Sequence, residues 1–238
     1  WKHIGVIDYI QRHGGVDRSI AFLGAYHNWP GFFWLFARLA DWLHFGPIEI
    51  ANAARFFSVL SNIVYVFLLW GIYRRFTTDD RLIHAGIWIF VCANWVGQDY
   101  FSPQAVAYAL YLVILLLCLG PLMPVEDRAL TSVGRRIGVL RRRIVQLQPL
   151  DPLPPTLLRV AAFIAVSLAM LFLAASHQLT PLILIFSLFS LAVVTPLGLG
   201  LPMMAGLIMV FWVLYPASPF TAVYLPDEVA QLGQTVTD

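Results

Sequence analysis

Six long apolar runs constrain the fold of this chain more than any other feature of its sequence. Charged residues make up only 12% of its 238 residues, whereas a soluble domain carries about 25%. A helix of about 20 apolar residues crosses a bilayer, and only helices or closed barrels satisfy their backbone in lipid. Because the runs lack the alternating pattern of barrel strands, each predicts a membrane helix. They are roughly Ile48–Tyr73, Leu82–Val96, Pro103–Met123, Leu157–Ala175, Leu179–Thr195 and Leu199–Tyr215.

The arginines predict how these helices are oriented. Short loops rich in Lys and Arg stay in the cytoplasm, and two arginine-rich loops, one after the first run and one at about 124–156, fall on the same side when six spans alternate. We therefore expect a multi-pass plasma-membrane protein with 48–216 as an all-α bundle and the segments 1–47 and 217–238 outside. The arginines serve as a topology signal, and no nucleic-acid partner is expected. They are Arg74, Arg75, Arg81, Arg128, Arg135, Arg136, Arg141, Arg142 and Arg143.

The outer segment 1–47 contains a predicted amphipathic helix. Trp34 and Trp42 are residues typical of a membrane interface, and Arg38 and Asp41 fall on the polar face. Such a helix lies on the outer leaflet with its apolar side in the lipid. Its apolar side consists of Phe32, Phe33, Leu35, Phe36, Leu39 and Leu43.

The polar string NWVGQDYFSPQ between the second and third runs is the strongest candidate for a functional site. It places Asp99 at the junction of two predicted spans, where an ionisable group is costly and therefore suggests function. Ser102 and Pro103 form a helix start, and an outward-facing helix N-terminus favours phosphate. Gln98 and Gln104 can bind a hydroxyl-rich substrate. The alternative is that Asp99 and Gln98 only cap the two helix ends.

Other polar groups on the predicted outer side suit a sugar or a phosphate. Trp29, close to His27 in the string YHNWPGFF, can stack on a sugar ring or lie at the lipid interface. His177 and Gln178 precede another helix start with proline and can bind a phosphate, although a histidine there is also a common capping residue. Arg55, about two turns into the first run, can contact an anionic headgroup or extend to the interface.

The sequence lacks the motifs of several other chemistries. It contains no HExxH zinc motif, no paired Cys-His spacing, no phosphate-binding P-loop and no GxSxG elbow. Cys92 and Cys118 lie in apolar runs and predict buried apolar side chains rather than a disulfide. No metal ligands are therefore assigned.

The order of the polar motifs resembles GT-C-type integral membrane glycosyltransferases. The strings are DYI, HG, WPGFF, TDDR, QDYFSPQ and SHQ. They resemble bacterial enzymes related to the polyprenyl- or dolichyl-phosphate-sugar mannosyl- and arabinosyltransferases, with NWVGQDYFSPQ and SHQLTP most like actinobacterial members. The resemblance extends to about the fifth run. Since the family has a span before this outer loop and the chain begins at Trp1, we expect a fragment of a longer protein.

The resemblance implies sugar transfer on the extracytoplasmic face during cell-wall or cell-envelope assembly. In that family a carboxylate of the first outer loop acts as general base, and the donor is a polyprenyl-phosphate-linked sugar. Asp8 in DYI is the position most similar to that base, and Asp99 resembles a later outer-loop aspartate. The acceptor would be a glycan or a lipid. A divalent cation, Mg²⁺ or Mn²⁺, is compatible with the reaction but not required.

Three alternatives remain open from the sequence. One is a polysaccharide polymerase or ligase of similar architecture, and another is a non-catalytic scaffold. The third is a transporter or flippase for lipid-linked saccharides, which should have broken helices and charges near the membrane midplane. The acidic residues here lie mainly at the outer ends of the predicted spans, which favours an enzyme.

Overall fold

A computed structural model describes residues 1–19, 23–93, 99–123, 147 and 155–224, and all regular structure within these ranges is helical. The predicted all-α fold is confirmed, and each of the six apolar runs contains a helix. The helices are α1 (Lys2–His13), α2 (Gly24–Asn28), α3 (Gly31–Leu43), α4 (Pro47–Ala54), α5 (Phe57–Tyr73), α6 (Asp80–Ala93), α7 (Pro103–Leu119), α8 (Thr156–Ser176), α9 (Thr180–Val194), α10 (Gly200–Leu214) and α11 (Ser218–Tyr224).

Helix length limits how many membrane spans can be counted. Only α8, with 21 residues, is long and apolar enough to cross a membrane alone within the described ranges. Two bent pairs reach that length if each forms one span: α4 with α5, bent by 48°, and α10 with α11, bent by 78°. Helices α7 and α9 are apolar but have only 17 and 15 residues. One to three spans are thus supported, and six spans remain a prediction.

The outer surface of the bundle is apolar. Large contiguous apolar patches are rare on soluble monomers, so this surface indicates association with a membrane. Examples from α5, α6, α8, α9 and α10 that are at least 62% exposed are Phe67, Trp88, Leu168, Phe186 and Leu207.

Helix α7 holds the bundle together because it packs on both sides. Its Ile114 lies in a buried cluster with Val166 of α8 and Leu184 of α9, and its Leu112 lies in a second cluster with Tyr65 of α5. The Tyr65 hydroxyl also donates to the carbonyl of residue 105, at 2.8 Å. Helix α7 is therefore the central element against which α5 and α8 are positioned. Of the two cysteines, Cys118 is buried in this core as predicted, whereas Cys92 on α6 is exposed.

Helices α1 to α3 form a separate layer, here called the N-terminal cap. Ile7 and Ile10 of α1 pack against Phe32 and Phe33 of α3 in one buried cluster, which also includes Phe101 from the segment before α7. The cap therefore covers the end of the bundle where α7 begins.

Helix α3 forms where the amphipathic pattern predicts it, but its aromatic face meets protein instead of lipid. Phe32 and Phe33 are fully buried, whereas Leu35 and Leu39 are more than 40% exposed. The reason is that α1 offers an apolar face of its own, which covers the phenylalanine side of α3. The leucines form a second, uncovered apolar stripe.

The opposite end of the bundle carries arginines of the first predicted cytoplasmic loop. Arg74 forms an ion pair with Asp80 at 2.9 Å. Arg75 donates from Nε to the carbonyl oxygen of Leu119, at 2.7 Å, an arrangement that satisfies the end of α7. The α5–α6 turn and the end of α7 therefore share one end of the bundle, and most of the predicted loop 124–156 lies outside the described residues.

Candidate functional site

Three connections meet at the end of the bundle under the N-terminal cap. His3 of α1 donates from Nδ1 to the carbonyl oxygen of Phe101, at 2.8 Å, and the rings of Phe32 and Phe101 lie 5.1 Å apart. At the start of α3, a Cβ atom added to Gly31 would lie 2.4 Å from Oγ of Ser176. The first turn of α3 thus contacts both the segment before α7 and the end of α8, two of the segments predicted to face outward.

Asp99 is held by a side chain of α5. Its Oδ2 accepts a hydrogen bond from Nδ2 of Asn62, which also donates to the carbonyl of Ser58 at 2.9 Å. Within the described ranges, Ser102 is the N-cap residue of α7. Its Oγ accepts a hydrogen bond from the N–H of Ala105 at 3.3 Å, and Pro103 is the first residue of the helix. The predicted helix start is confirmed, and Asp99 is not the residue that caps α7.

Asp8 lies on α1 and pairs with Arg12, one turn further on. Nε of Arg12 is 2.9 Å from Oδ1 of Asp8, and the Asp8 side chain is 25% exposed. Surface pairs of this kind contribute only about 0–1 kcal/mol, so a ligand can displace Arg12 at little cost. In the part of the chain that the structure describes, Asp8 and Asp99 share no hydrogen-bond partner.

His177 caps α9 through its imidazole. Nδ1 accepts from the backbone N–H of Thr180 at 3.2 Å and contacts its hydroxyl at 2.8 Å. Burial lowers the pKa of His177. A neutral ring whose Nδ1 accepts must carry its proton on Nε2, so His177 both caps α9 and presents an N–H donor. Gln178 beside it is half-buried.

His27 and Trp29 are enclosed by protein. Nδ1 of His27 accepts from the backbone N–H of Asp17 at 3.3 Å, and burial lowers the pKa of this histidine while Asp17 opposes the shift. Trp29 is only 5% exposed, and its ring meets that of Phe220 edge-to-face at 5.4 Å. Because α11 returns to the cap here, the Trp29 ring is open neither to lipid nor to a stacked sugar.

Four buried polar atoms at this end have no hydrogen-bond partner among the described residues: Asn28 Oδ1, Trp29 Nε1, Gln104 Oε1 and Ser176 Oγ. An unsatisfied buried polar group costs about 1–3 kcal/mol, and each one calls for an explanation such as water or a ligand. Asn28 and Ser176 are 1% and 2% exposed. The candidate site therefore includes two residues that the sequence predictions did not assign, although both lie in the strings YHNWPGFF and SHQ.

Two predicted site residues, Arg55 and Gln98, remain to be located in the structure. Arg55 is exposed and lies at the bend between α4 and α5, where it ends α4. Gln98 lies outside the described residues. Within the described ranges, no group of three or more His, Cys, Asp or Glu side chains could hold a metal ion.

Comparisons with known proteins add no family to this description. No protein-family model, no curated protein and no solved structure matches the chain.

Proposed function

We propose that this chain belongs to a membrane glycosyltransferase that moves a sugar from a polyprenyl-phosphate donor to a glycan or lipid acceptor on the extracytoplasmic face. The observation that carries the proposal is that the Asp99–Asn62 pair, the start of α7 and the start of α9 beside His177 all lie at the capped end of an apolar helical bundle. The reaction needs a base, a site for phosphate and an apolar surface for the polyprenyl chain, and this end can supply all three.

A carboxylate supplies the base. The acceptor oxygen forms a bond to the anomeric carbon, the bond from that carbon to the phosphate oxygen breaks, and the hydroxyl proton moves to the carboxylate. A positioned general base of this kind contributes about 10²–10⁴-fold to the rate. Asp99 and Asp8 are the two candidates. The Asn62 contact holds Asp99 beside the apolar bundle, whereas Asp8 lies in the cap with Arg12.

Helix ends and donors suit the departing phosphate. Helices α7 and α9 both begin at the capped end, and helix N-termini favour anions because their N–H groups and dipoles point outward. His177 adds a neutral N–H donor, and Arg55 is an exposed cation near the start of α5. These groups can stabilise the negative charge that develops on the phosphate as the sugar leaves.

The proposal also includes the full membrane arrangement of about six spans with α3 on the outer leaflet. Helix α3 has three sides: one packed on protein, one polar with the Arg38–Asp41 pair at 3.6 Å, and one exposed apolar stripe. A helix at a membrane interface meets protein, water and lipid in this way. The stripe consists of Leu35, Leu39, Trp42 and Leu43.

The second candidate is a transporter or flippase for lipid-linked saccharides. Its support is the bend of 48° between α4 and α5 and that of 78° between α10 and α11, because transporters build their sites at broken helices. Arg55 lies at the first of these bends.

Donor turnover tests the proposal and separates the two candidates. The purified chain in lipid nanodiscs is incubated with radiolabelled polyprenyl-phosphate sugars, and released polyprenyl phosphate and labelled acceptor are measured. We expect Asp99→Asn and Asp8→Asn each to lower turnover by about 10²–10⁴-fold while the helical signal persists. Asp41→Asn, which alters an exposed carboxylate on α3, is the matched control and should retain activity.

Full turnover in both aspartate variants would refute the site assignment. Movement of intact donor across the bilayer by the wild-type protein, without any turnover, would favour the transporter instead.

A further inference from the structure

Asn62 is a polar side chain of α5 that contacts the candidate base directly. Both hydrogens of its amide nitrogen are used, one on the Ser58 carbonyl and the other on Oδ2 of Asp99. We propose that Asn62 is a positioning residue that orients the Asp99 carboxylate, an inference that rests on the transfer reaction proposed above.

Close to Asn62, helix α5 is joined to the start of α7, the helix that follows Asp99. Tyr65, almost one turn after Asn62, is 3% exposed and donates to the carbonyl of Ala105 in the first turn of α7. Its ring also meets that of Tyr108 edge-to-face at 4.9 Å. Helix α5 is thus joined to the first part of α7, which follows Asp99, and this contact keeps the Asn62 amide near the Asp99 carboxylate.

The position of Asn62 in the sequence supports a role beyond packing. Asparagine is a poor helix former, and a polar side chain within an apolar, membrane-type helix has an energetic cost. The hydrogen bond from Asn62 to the Ser58 carbonyl, one turn earlier in the same helix, satisfies one N–H of the amide locally. The contact with Asp99, which is 37 residues away in sequence, requires a specific arrangement of two elements and is not explained by local satisfaction.

Orientation matters because a general base must meet the hydroxyl in line. In the proposed arrangement, Asn62 holds Oδ2 and restricts rotation of the carboxylate, so that Oδ1 is the oxygen that receives the proton of the acceptor hydroxyl. The proton passes from that hydroxyl to Asp99, and Asn62 neither gains nor loses a proton. A misplacement of about 1 Å can cost about 10²-fold in rate.

Three variants test this role by donor turnover. Asn62→Leu keeps the approximate volume but removes the N–H, and we expect kcat to fall by about 10–100-fold with KM nearly unchanged. Asn62→His retains a donor near the same place and should recover most of the loss. Asn52→Leu replaces an exposed asparagine of α4 and should behave as wild type. Equal losses in the leucine and histidine variants, or a loss confined to KM, would overturn the proposal.

A double-mutant cycle shows whether Asn62 acts through Asp99. Residues that act as one unit give non-additive effects, so Asn62→Leu should cause no further loss of turnover in the Asp99→Asn background. Additive losses would contradict the inference.

If the wild-type protein turns over no donor, the proposed function is refuted, but the contact between Asn62 and Asp99 can still be tested. The same double-mutant cycle is then measured by melting temperature. In that case the melting shifts of the two single variants should again be non-additive. Additive shifts would refute the contact itself.

Discussion

Replacing Gly31 with alanine tests the contact that joins the N-terminal cap to the bundle. The new Cβ would lie 2.4 Å from Oγ of Ser176, 3.0 Å from the carbonyl carbon of Ala175 and 3.1 Å from its oxygen. Ordinary van der Waals contact begins at 3.4 Å. Rotation of the serine hydroxyl would not remove the clash, because the backbone atoms of Ala175 also lie closer than this. Helix α3 must move away from the end of α8 by several tenths of an ångström, because the backbone at 175 cannot be displaced cheaply.

The loss of stability in Gly31→Ala can be measured against a matched control, Gly5→Ala. Overpacking costs about 1–3 kcal/mol, while alanine is favoured over glycine within a helix by roughly 0.5–1 kcal/mol. Gly5, inside α1, has nothing within 4 Å of the added Cβ, so Gly5→Ala keeps the gain without the clash. We expect the free energies of unfolding of the two variants to differ by about 1–3 kcal/mol, with Gly31→Ala the less stable.

Thermal unfolding in detergent measures this difference. Each kcal/mol shifts the melting temperature of a chain of this size by about 2–4 °C, and tryptophan fluorescence can follow the transition because Trp29 and Trp212 both lie at this junction. Donor turnover should fall in Gly31→Ala as well, since the start of α3 moves away from the end of α8, which His177 directly follows. A Gly31→Ala protein that melts at or above the temperature of Gly5→Ala would refute the close approach of α3 to α8.

Two further predictions concern the helix starts at this end. Ser102→Ala removes the cap of α7 and should lower the free energy of unfolding by about 1 kcal/mol, measured by the same melting assay; an unchanged melting temperature would contradict the cap. Burial lowers the pKa of His177 below its ordinary 6.5. Below pH 6.5 the unfolded chain therefore binds more protons than the folded chain, and the folded state loses stability as the pH falls. His177→Asn retains a capping side chain but cannot titrate, so its melting temperature should decline less than that of wild type between about pH 7 and pH 5; equal declines would show that His177 is not responsible.

The helices and several of their ends could be predicted because the signals are local. Apolar runs specify helices in a membrane, and Ser102-Pro103 marked the first residue of α7 correctly. Periodicity also located α3. It could not tell which apolar stripe of α3 packs on protein, because that depends on the apolar face of α1, which is distant in sequence. The leucine stripe and the phenylalanine stripe look equivalent until a partner helix is placed.

The candidate site shows the same limit. Asp99 stood out because a carboxylate between apolar runs is costly, and that argument needs no partner. Asn62 was visible as a polar residue in an apolar run, but its contact with Asp99 depends on how α5 packs beside the segment before α7. The burial of Trp29 depends on Phe220 of α11, at the far end of the described chain. Unsatisfied atoms such as Asn28 Oδ1 can be found only after all neighbours are placed.

Photo-cross-linking of a polyprenyl phosphate tests the central claim most directly, because it asks which end of the bundle binds the lipid phosphate. A probe with a photoreactive group beside the phosphate is irradiated with the protein in nanodiscs, and the labelled peptides are mapped with and without excess unlabelled polyprenyl phosphate. We predict competed labelling within 99–104 and 175–181, at the capped end. Competed labelling confined to the Arg74–Asp80 end would contradict the account.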